Sequence, residues 1–152
     1  STHDPLFVSG EGFEDVRMVR KDAGSPCSAV SHMSFADIAQ SVAAATGEHP
    51  VKPEGVLAKI HQALQPGINE MFFARRLILV EGMEDVAYII AYINLLEKSE
   101  EFRRLGCHIV ATNGKSELLQ PVVIAKHMQI PTYVIFDADA DKPDKSPTRN
   151  SC

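Results

Sequence analysis

The chain has 152 residues, of which 45% are hydrophobic and 23% charged, and its formal net charge at pH 7 is -5. This length and composition suffice for one compact core without disulfides or structural metals. The acidic balance argues against a protein that binds nucleic acid through a broad basic surface. It leaves open a metal-dependent enzyme that acts on phosphates, because bound ions neutralise an acidic pocket.

The cysteines and the apolar segments indicate the compartment. Cys27, Cys107 and Cys152 lie far apart and lack the spacing of a zinc site, which predicts free thiols in a reducing compartment. The N-terminus has no basic segment followed by an apolar one, and no apolar run approaches the roughly 18 residues of a membrane span. We therefore expect a cytoplasmic protein with no membrane partner.

The first half of the chain predicts a short β-type segment and then helices. Residues 1–30 mix β-type runs with Gly, Ser and Pro, which is typical of a strand or hairpin followed by a loop. Residues 34–47 begin like a capping box, are rich in alanine and end in glycine, so they predict a helix. Apolar residues at helical spacing predict a second helix at 53–64. We expect residues 31–71 to form a small helical segment.

From residue 72 onward, short apolar strands alternate with helices. The predicted strands are 77–80, 108–112 and 132–136, and the predicted helices are about 85–98 and 116–127. This alternation predicts an α/β fold with a parallel sheet, right-handed crossovers and flanking helices. On the first of these helices we predict a sheet-facing stripe of Tyr88, Ile89, Tyr92 and Leu96. Residues 142–152 are polar and contain proline, which predicts a flexible tail.

Acidic side chains follow the first and the third of these strands. Glu81 and Asp85 come after the first strand, and Asp137, Asp139 and Asp141 come after the third. The carboxyl ends of strands in an open parallel sheet form the ligand crevice, so we expect these carboxylates to converge. Two carboxylates about 4 Å apart repel by about 4 kcal/mol at an effective dielectric near 20, so the cluster requires a cation. Oxygen ligands favour Mg²⁺ or Mn²⁺ over Zn²⁺.

Each acidic group also has an ordinary interpretation. Asp85 lies in the first turn of a predicted helix, where a carboxylate complements the helix dipole. The alternating Asp137, Asp139 and Asp141 are compatible with an acidic turn after a strand. Glu81 is harder to explain in this way, because a charge at the tip of a buried strand caps nothing.

The residues after the middle strand predict an anion site. Gly114, Lys115 and Ser116 open a predicted helix, where free backbone N–H groups and a lysine are suited to an anion. The alternative is a turn in which Ser116 is the N-cap. The segment is not a Walker A motif, because the earlier glycine of that motif is replaced by Ile109.

Together these segments resemble the Toprim domain, the catalytic fold shared by topoisomerases, primases and related nucleases. The segments are LVEGMED at 79–85, NGKS at 113–116 and FDADAD at 136–141. Within that group the chain is most similar to the C-terminal region of OLD (overcoming lysogenization defect) family nucleases, which join an ABC-type ATPase to a Toprim nuclease. The sequence STHDPLF at 1–7 is similar to the switch-histidine segment that ends such ATPase domains.

The resemblance implies four segments. Residues 1–30 would be the end of an ATPase-like domain or linker strands, and residues 31–71 a helical linker. Residues 72–141 would be the Toprim catalytic core, with a Toprim-like parallel sheet flanked by helices. Residues 142–152 would be a truncated tail, and a further catalytic lysine is expected beyond it. Since the sequence has no Walker A or B segment, ATP would act only through an ATPase domain absent from this chain.

The resemblance also implies an activity and a set of site residues. The activity is that of a metal-dependent DNA endonuclease, which hydrolyses phosphodiesters with two Mg²⁺ or Mn²⁺ ions. The catalytic residues would be Glu81, Asp85, Asp137, Asp139 and Lys115. The same four carboxylates would hold the ions with Asp141, and Gly114, Lys115 and Ser116 would hold the phosphate. The implied partners are DNA, the N-terminal ABC-type ATPase domain and, in the full-length protein, further copies of itself.

Two other functions remain as alternatives. The Asp137-Ala-Asp139 order also resembles the strand-end nucleophile and acid of haloacid-dehalogenase-like phosphatases. That family usually has Thr or Val where this chain has Asp141, and it places the motif near the start of its domain. The second alternative is a non-catalytic metal-binding or assembly module whose helices at 34–72 mediate oligomerisation.

Overall fold

The computed structural model describes residues 4–21 and 24–138. The strands are β1 (Met18–Lys21), β2 (Ser28–Ser31), β3 (Arg76–Val80), β4 (Cys107–Ala111) and β5 (Thr132–Ile135). The helices are α1 (Phe35–Thr46), α2 (Pro53–Ala63), α3 (Pro66–Asn69), α4 (Met83–Leu95), α5 (Ser99–Arg104) and α6 (Leu119–His127). Asp139, Asp141, the predicted tail and the first three residues of the predicted switch-histidine segment lie outside the described residues.

The second half of the chain forms a parallel sheet with the strand order β4-β3-β5. Val80, the last residue of β3, is level with Ala111 of β4 and with Ile135 of β5. The predicted α/β fold with a parallel sheet is therefore confirmed, and the predicted strands are correct to within one residue at each end. Because the three strands end at the same level, the segments that follow them lie at one edge of the sheet.

The two faces of the sheet are covered by different helices. Leu77 and Leu79 are at most 1% exposed and belong to the same apolar core as Ile124 of α6. Side chains alternate between faces along a strand, so Ile78 and Val80 point to the opposite face. There α4 packs against β3 and β4. As the central strand, β3 is apolar on both faces, which is typical of a strand in a parallel sheet.

The helices of the first half share this core. Ile38 of α1 and Ile60 of α2 are at most 1% exposed and pack into the cluster that contains Leu79. Both helices contact α6, so they extend the layer on its side of the sheet. Asn69, which is 2% exposed, donates from Nδ2 to the carbonyl oxygen of Val8 over 2.7 Å. This bond ties the N-terminal segment to the residues that lead into β3.

The start and end of α1 follow the sequence prediction. The Ser34 N–H and hydroxyl donate to Oδ2 of Asp37 over 2.8 and 2.7 Å, and the Asp37 N–H donates to the Ser34 hydroxyl over 3.2 Å. This reciprocal pairing is a capping box. Gly47 ends the helix in the left-handed conformation, with φ of 73°. The hydrogen bonds from Ser34 hold the pKa of Asp37 below its usual value.

Two predicted helices differ from the observed ones. The helix predicted at 85–98 ends at Leu95, because Glu97 adopts a left-handed conformation with φ of 57°. The chain then begins the separate short helix α5. The helix predicted to start at Ser116 starts at Leu119, after a 3-10 turn at Lys115–Glu117. The alternative in which Ser116 is the N-cap of this helix is therefore wrong.

The sheet-facing stripe of α4 was also predicted incorrectly. Tyr88, Tyr92 and Leu96 are 76%, 64% and 51% exposed, and only Ile89 of the predicted stripe is half-buried. The half-buried apolar positions are Val86, Ile89 and Ile93, which have the i, i+3, i+7 spacing of one helix face. The error arose because α4 is apolar on several faces, so the sequence does not define one stripe. None of the described helices combines the length and apolarity needed to cross a membrane.

Truncating the central strand should destabilise the fold. Leu79→Ala should lower the free energy of unfolding by about 3 kcal/mol, because it removes a fully buried side chain and leaves a cavity. Leu95→Ala is the matched control, since Leu95 is 81% exposed, and should change stability by less than about 0.5 kcal/mol. Urea unfolding measures both values, and similar losses in the two variants would contradict the assigned core.

The capping box of α1 should give a pH-dependent contribution to stability. The pKa of Asp37 is lower in the folded chain, so its carboxylate stabilises the fold at neutral pH. This contribution is lost as the pH falls through the lowered pKa, and it is small because the side chain is exposed. Ser34→Ala should therefore cost about 1 kcal/mol at pH 7 and less in acid. Thermal unfolding of the wild type and Ser34→Ala at pH 7 and at acidic pH tests this. An equal loss of stability at the two pH values would contradict the contribution assigned to the capping box.

Candidate functional site

Glu81 lies immediately after β3, at the carboxyl edge of the sheet. Its side chain is half-buried, and Oε2 is buried without a hydrogen-bond partner among the described residues. A buried polar atom without a partner costs free energy, and a charged one costs more. A carboxylate oxygen of this kind fits a group that binds a cation, because the cation would supply the missing interaction.

Asp85 lies in the first turn of α4, and its two carboxylate oxygens differ in their partners. The Gly82 N–H donates to its Oδ2 over 2.9 Å, so Asp85 caps the first turn of α4. This is the ordinary role that the sequence offered as an alternative. Since the cap uses Oδ2, Oδ1 remains for another partner at the same edge.

The loop after β4 is bonded to the end of β3. The Thr112 N–H donates to the Val80 carbonyl over 3.0 Å, and the Thr112 hydroxyl lies 3.3 Å from that oxygen and 3.2 Å from the Gly114 carbonyl. The Gly114 N–H donates to the Glu81 carbonyl over 2.8 Å. Gly114 has φ of 142° and ψ of 153°, a region that only glycine adopts without strain.

Lys115 connects the same loop to the residues after β5. Its Nζ donates to the Asp137 carbonyl over 2.6 Å and lies 5.2 Å from the centroid of the Phe136 ring. The strands β4 and β5 lie on opposite sides of β3, about 10 Å apart at the usual strand spacing. The loop therefore crosses the end of β3, where Glu81 lies.

The structure brings five of the predicted site residues to one edge of the sheet. These are Glu81, Asp85, Gly114, Lys115 and Asp137, and Ser116 is exposed beside them. Within residues 4–21 and 24–138, no three His, Cys, Asp or Glu side chains come together in a group that could hold a metal ion. The predicted ligands Asp139 and Asp141 belong to the residues that the structure does not describe.

The geometry also refines the predicted anion site. The Gly114 N–H is occupied by the Glu81 carbonyl, so it is not available to a phosphate in this conformation. The predicted phosphate contacts then fall to Lys115 and Ser116.

Sequence reasoning missed Thr112. Thr112 is 2% exposed, and both its N–H and its hydroxyl contact the end of β3. In the sequence it was only the last residue of a predicted strand. The available signal in the sequence was a polar residue between an apolar strand and an Asn-Gly pair. The sequence did not indicate which carbonyl oxygens accept its hydrogen bonds.

Comparisons with known proteins find two similarities. Residues 72–139 match the model of the family described as overcoming lysogenization defect protein-like, TOPRIM domain. The chain is also similar to a protein named OLD nuclease from Thermus scotoductus (strain ATCC 700910 / SA-01), with 30% identity over 139 residues. The similar region covers 91% of this chain and 24% of the relative, so the chain spans about a quarter of the length of the curated relative that it matches.

Neutralising Glu81 should stabilise the metal-free chain. Glu81→Gln replaces a carboxylate whose Oε2 is buried without a hydrogen-bond partner among residues 4–21 and 24–138, so the free energy of unfolding in EDTA should rise by about 1 kcal/mol. Glu84→Gln is the control, because Glu84 is exposed, and should leave stability unchanged. Urea unfolding measures both, and a loss of stability in Glu81→Gln would contradict the cost assigned to this buried oxygen.

Proposed function

We propose, from the match of residues 72–139 to the OLD-like Toprim family model, that this chain carries the metal-dependent catalytic centre of a DNA endonuclease. The observation that carries the proposal is the buried Oε2 of Glu81 at the carboxyl edge of the sheet, which has no hydrogen-bond partner among the described residues. The name OLD nuclease of the similar Thermus protein supports a nuclease role.

The donor atoms at this edge fit a hard divalent cation. Glu81 offers Oε2, Asp85 offers Oδ1, and Asp137 adds an exposed carboxylate two residues after β5. Asp139 and Asp141 would complete the set. These donors are all oxygens, which favour Mg²⁺ or Mn²⁺. Two such ions, when bound, would supply a water of lowered pKa and neutralise charge on the phosphate oxygens.

Lys115 would hold the phosphate of the DNA backbone. Its Nζ donates to the Asp137 carbonyl over 2.6 Å. Because that bond fixes Nζ at the end of β5, a phosphate that Lys115 holds would lie next to the carboxylate edge. The exposed Ser116 hydroxyl would donate to the same phosphate. A positive charge fixed before the reaction stabilises the negative charge that develops on the phosphate oxygens.

The proposed partners follow from the same family. They are DNA, an N-terminal ABC-type ATPase domain and further copies of the full-length protein, which we propose acts in the cytoplasm. Any dependence on ATP would come through the ATPase domain. The much greater length of the Thermus relative is consistent with additional domains of this kind.

Cleavage of supercoiled plasmid by the purified chain tests the activity. We expect nicked and linear products with Mn²⁺ or Mg²⁺ and none with EDTA. Asp137→Asn and Glu81→Gln should reduce the rate at least about 100-fold, because each removes a charged ligand. Glu84→Gln is the matched control, since it neutralises an exposed carboxylate on the first turn of α4, and should keep the wild-type rate.

Two further measurements make the result decisive. Circular dichroism shows that each variant is folded, and Mn²⁺ titration followed by electron paramagnetic resonance gives the metal affinity. Failure of the wild type to bind Mn²⁺ would overturn the proposed metal centre. Mn²⁺ binding without DNA cleavage would keep the metal centre but overturn catalysis by this chain. Hydrolysis of p-nitrophenyl phosphate in place of DNA would favour the phosphatase alternative.

A further inference from the structure

The loop Thr112–Lys115 joins the ends of all three strands of the parallel sheet. It leaves β4, bonds to Val80 and Glu81 at the end of β3, and reaches the Asp137 carbonyl after β5. Because β3 is the central strand, the loop lies across its end. We call residues 112–115 the brace.

The brace holds both peptide groups that flank the Cα atom of Glu81. The carbonyl before this atom belongs to Val80, and it accepts from the Thr112 N–H and lies within reach of the Thr112 hydroxyl. The carbonyl after it is that of Glu81 itself, and it accepts from the Gly114 N–H. With both peptide groups fixed, the direction in which the Glu81 side chain leaves the backbone is also fixed.

The Thr112 hydroxyl lies close to carbonyl groups of both the strand end and the turn. It lies 3.3 Å from the Val80 carbonyl and 3.2 Å from the carbonyl of Gly114, the residue whose N–H holds Glu81. The side chain is 2% exposed, so water does not replace these interactions. A hydroxyl has one proton, which the two carbonyl oxygens share, and the group therefore links the strand end directly to the turn.

We infer that Thr112 is a positioning residue, whose hydroxyl fixes the direction of the Glu81 carboxylate and thereby sets the affinity of this edge for a divalent cation. The inference rests on the proposed function, in which Glu81 is a ligand. Thr112 itself touches neither ion nor substrate in this role. Groups that orient metal ligands typically change metal affinity by 10- to 100-fold when they are removed.

Two substitutions at this position separate the hydroxyl from the shape of the side chain. Thr112→Val keeps the branched shape and volume but loses the hydroxyl, whereas Thr112→Ser keeps the hydroxyl. Thr132→Val is the matched control, because the Thr132 hydroxyl donates to the Ile130 carbonyl over 2.7 Å at the opposite edge of the sheet. The control loses a threonine hydroxyl and its hydrogen bond at an exposed position far from Glu81.

Mn²⁺ affinity and thermal unfolding in EDTA are measured on the four proteins. We expect the dissociation constant for Mn²⁺ to rise about tenfold in Thr112→Val. In Thr112→Ser and Thr132→Val it should stay within about threefold of the wild type, because both keep the hydroxyl of the brace. Both valine variants should remain folded, and the melting temperature should fall more in Thr112→Val, because Thr112 is buried whereas Thr132 is exposed.

The possible failures are distinguishable. If the wild type binds no Mn²⁺, the proposed function is wrong and the inference falls with it. If the wild type binds Mn²⁺ and Thr112→Val binds it equally well, the proposed metal centre stands and the positioning role is wrong. A drop in melting temperature without a change in Mn²⁺ affinity would assign Thr112 a structural role only.

Discussion

The parallel pairing of β3 with both of its neighbours is the constraint on which the rest of this structure depends. It places Val80, Ala111 and Ile135 at one level, so three connecting segments start from the same edge of the sheet. Hydrogen bonding in parallel strands fixes this register, and a slip of one residue would turn Leu77 and Leu79 out of the core. The apolar packing of β3 therefore also determines where Glu81 is presented.

The hydrogen bonds of the brace connect the residues that follow the three strands. Strand pairing alone leaves the residues after each strand free to move, whereas the bonds from Thr112, Gly114 and Lys115 connect them across the sheet. Gly114 adopts a conformation that only glycine takes without strain, and Glu81 keeps a buried oxygen that has no hydrogen-bond partner among the described residues. The buried oxygen reduces stability, and it lies at the proposed metal centre. Unfavourable local features that are kept in a stable fold commonly mark functional sites.

The helices of the first half support this edge of the sheet through the apolar core. Ile38 and Ile60 complete the core on the α6 side of the sheet, and they support the strand whose end carries Glu81. On the other face, α4 covers β3 and β4 and leaves Tyr88 and Tyr92 exposed. Within the described residues, the outer surface of α4 is therefore exposed and carries large apolar side chains.

The α/β class, the strand positions and the acidic residues at the strand ends could be predicted from the amino-acid sequence alone. Apolar runs, helix-ending glycines and capping residues affect the residues next to them in the chain. They can therefore be recognised in the sequence. Strand order, the exposed face of α4 and the brace depend on contacts between residues that are distant in the chain. Thr112 and Val80 are 32 residues apart, and Lys115 and Asp137 are 22 apart, so their hydrogen bonds exist only once the strands are side by side. For the same reason, the residues suited to bind a cation were visible in the sequence, but the bonds that hold Glu81 in place were not.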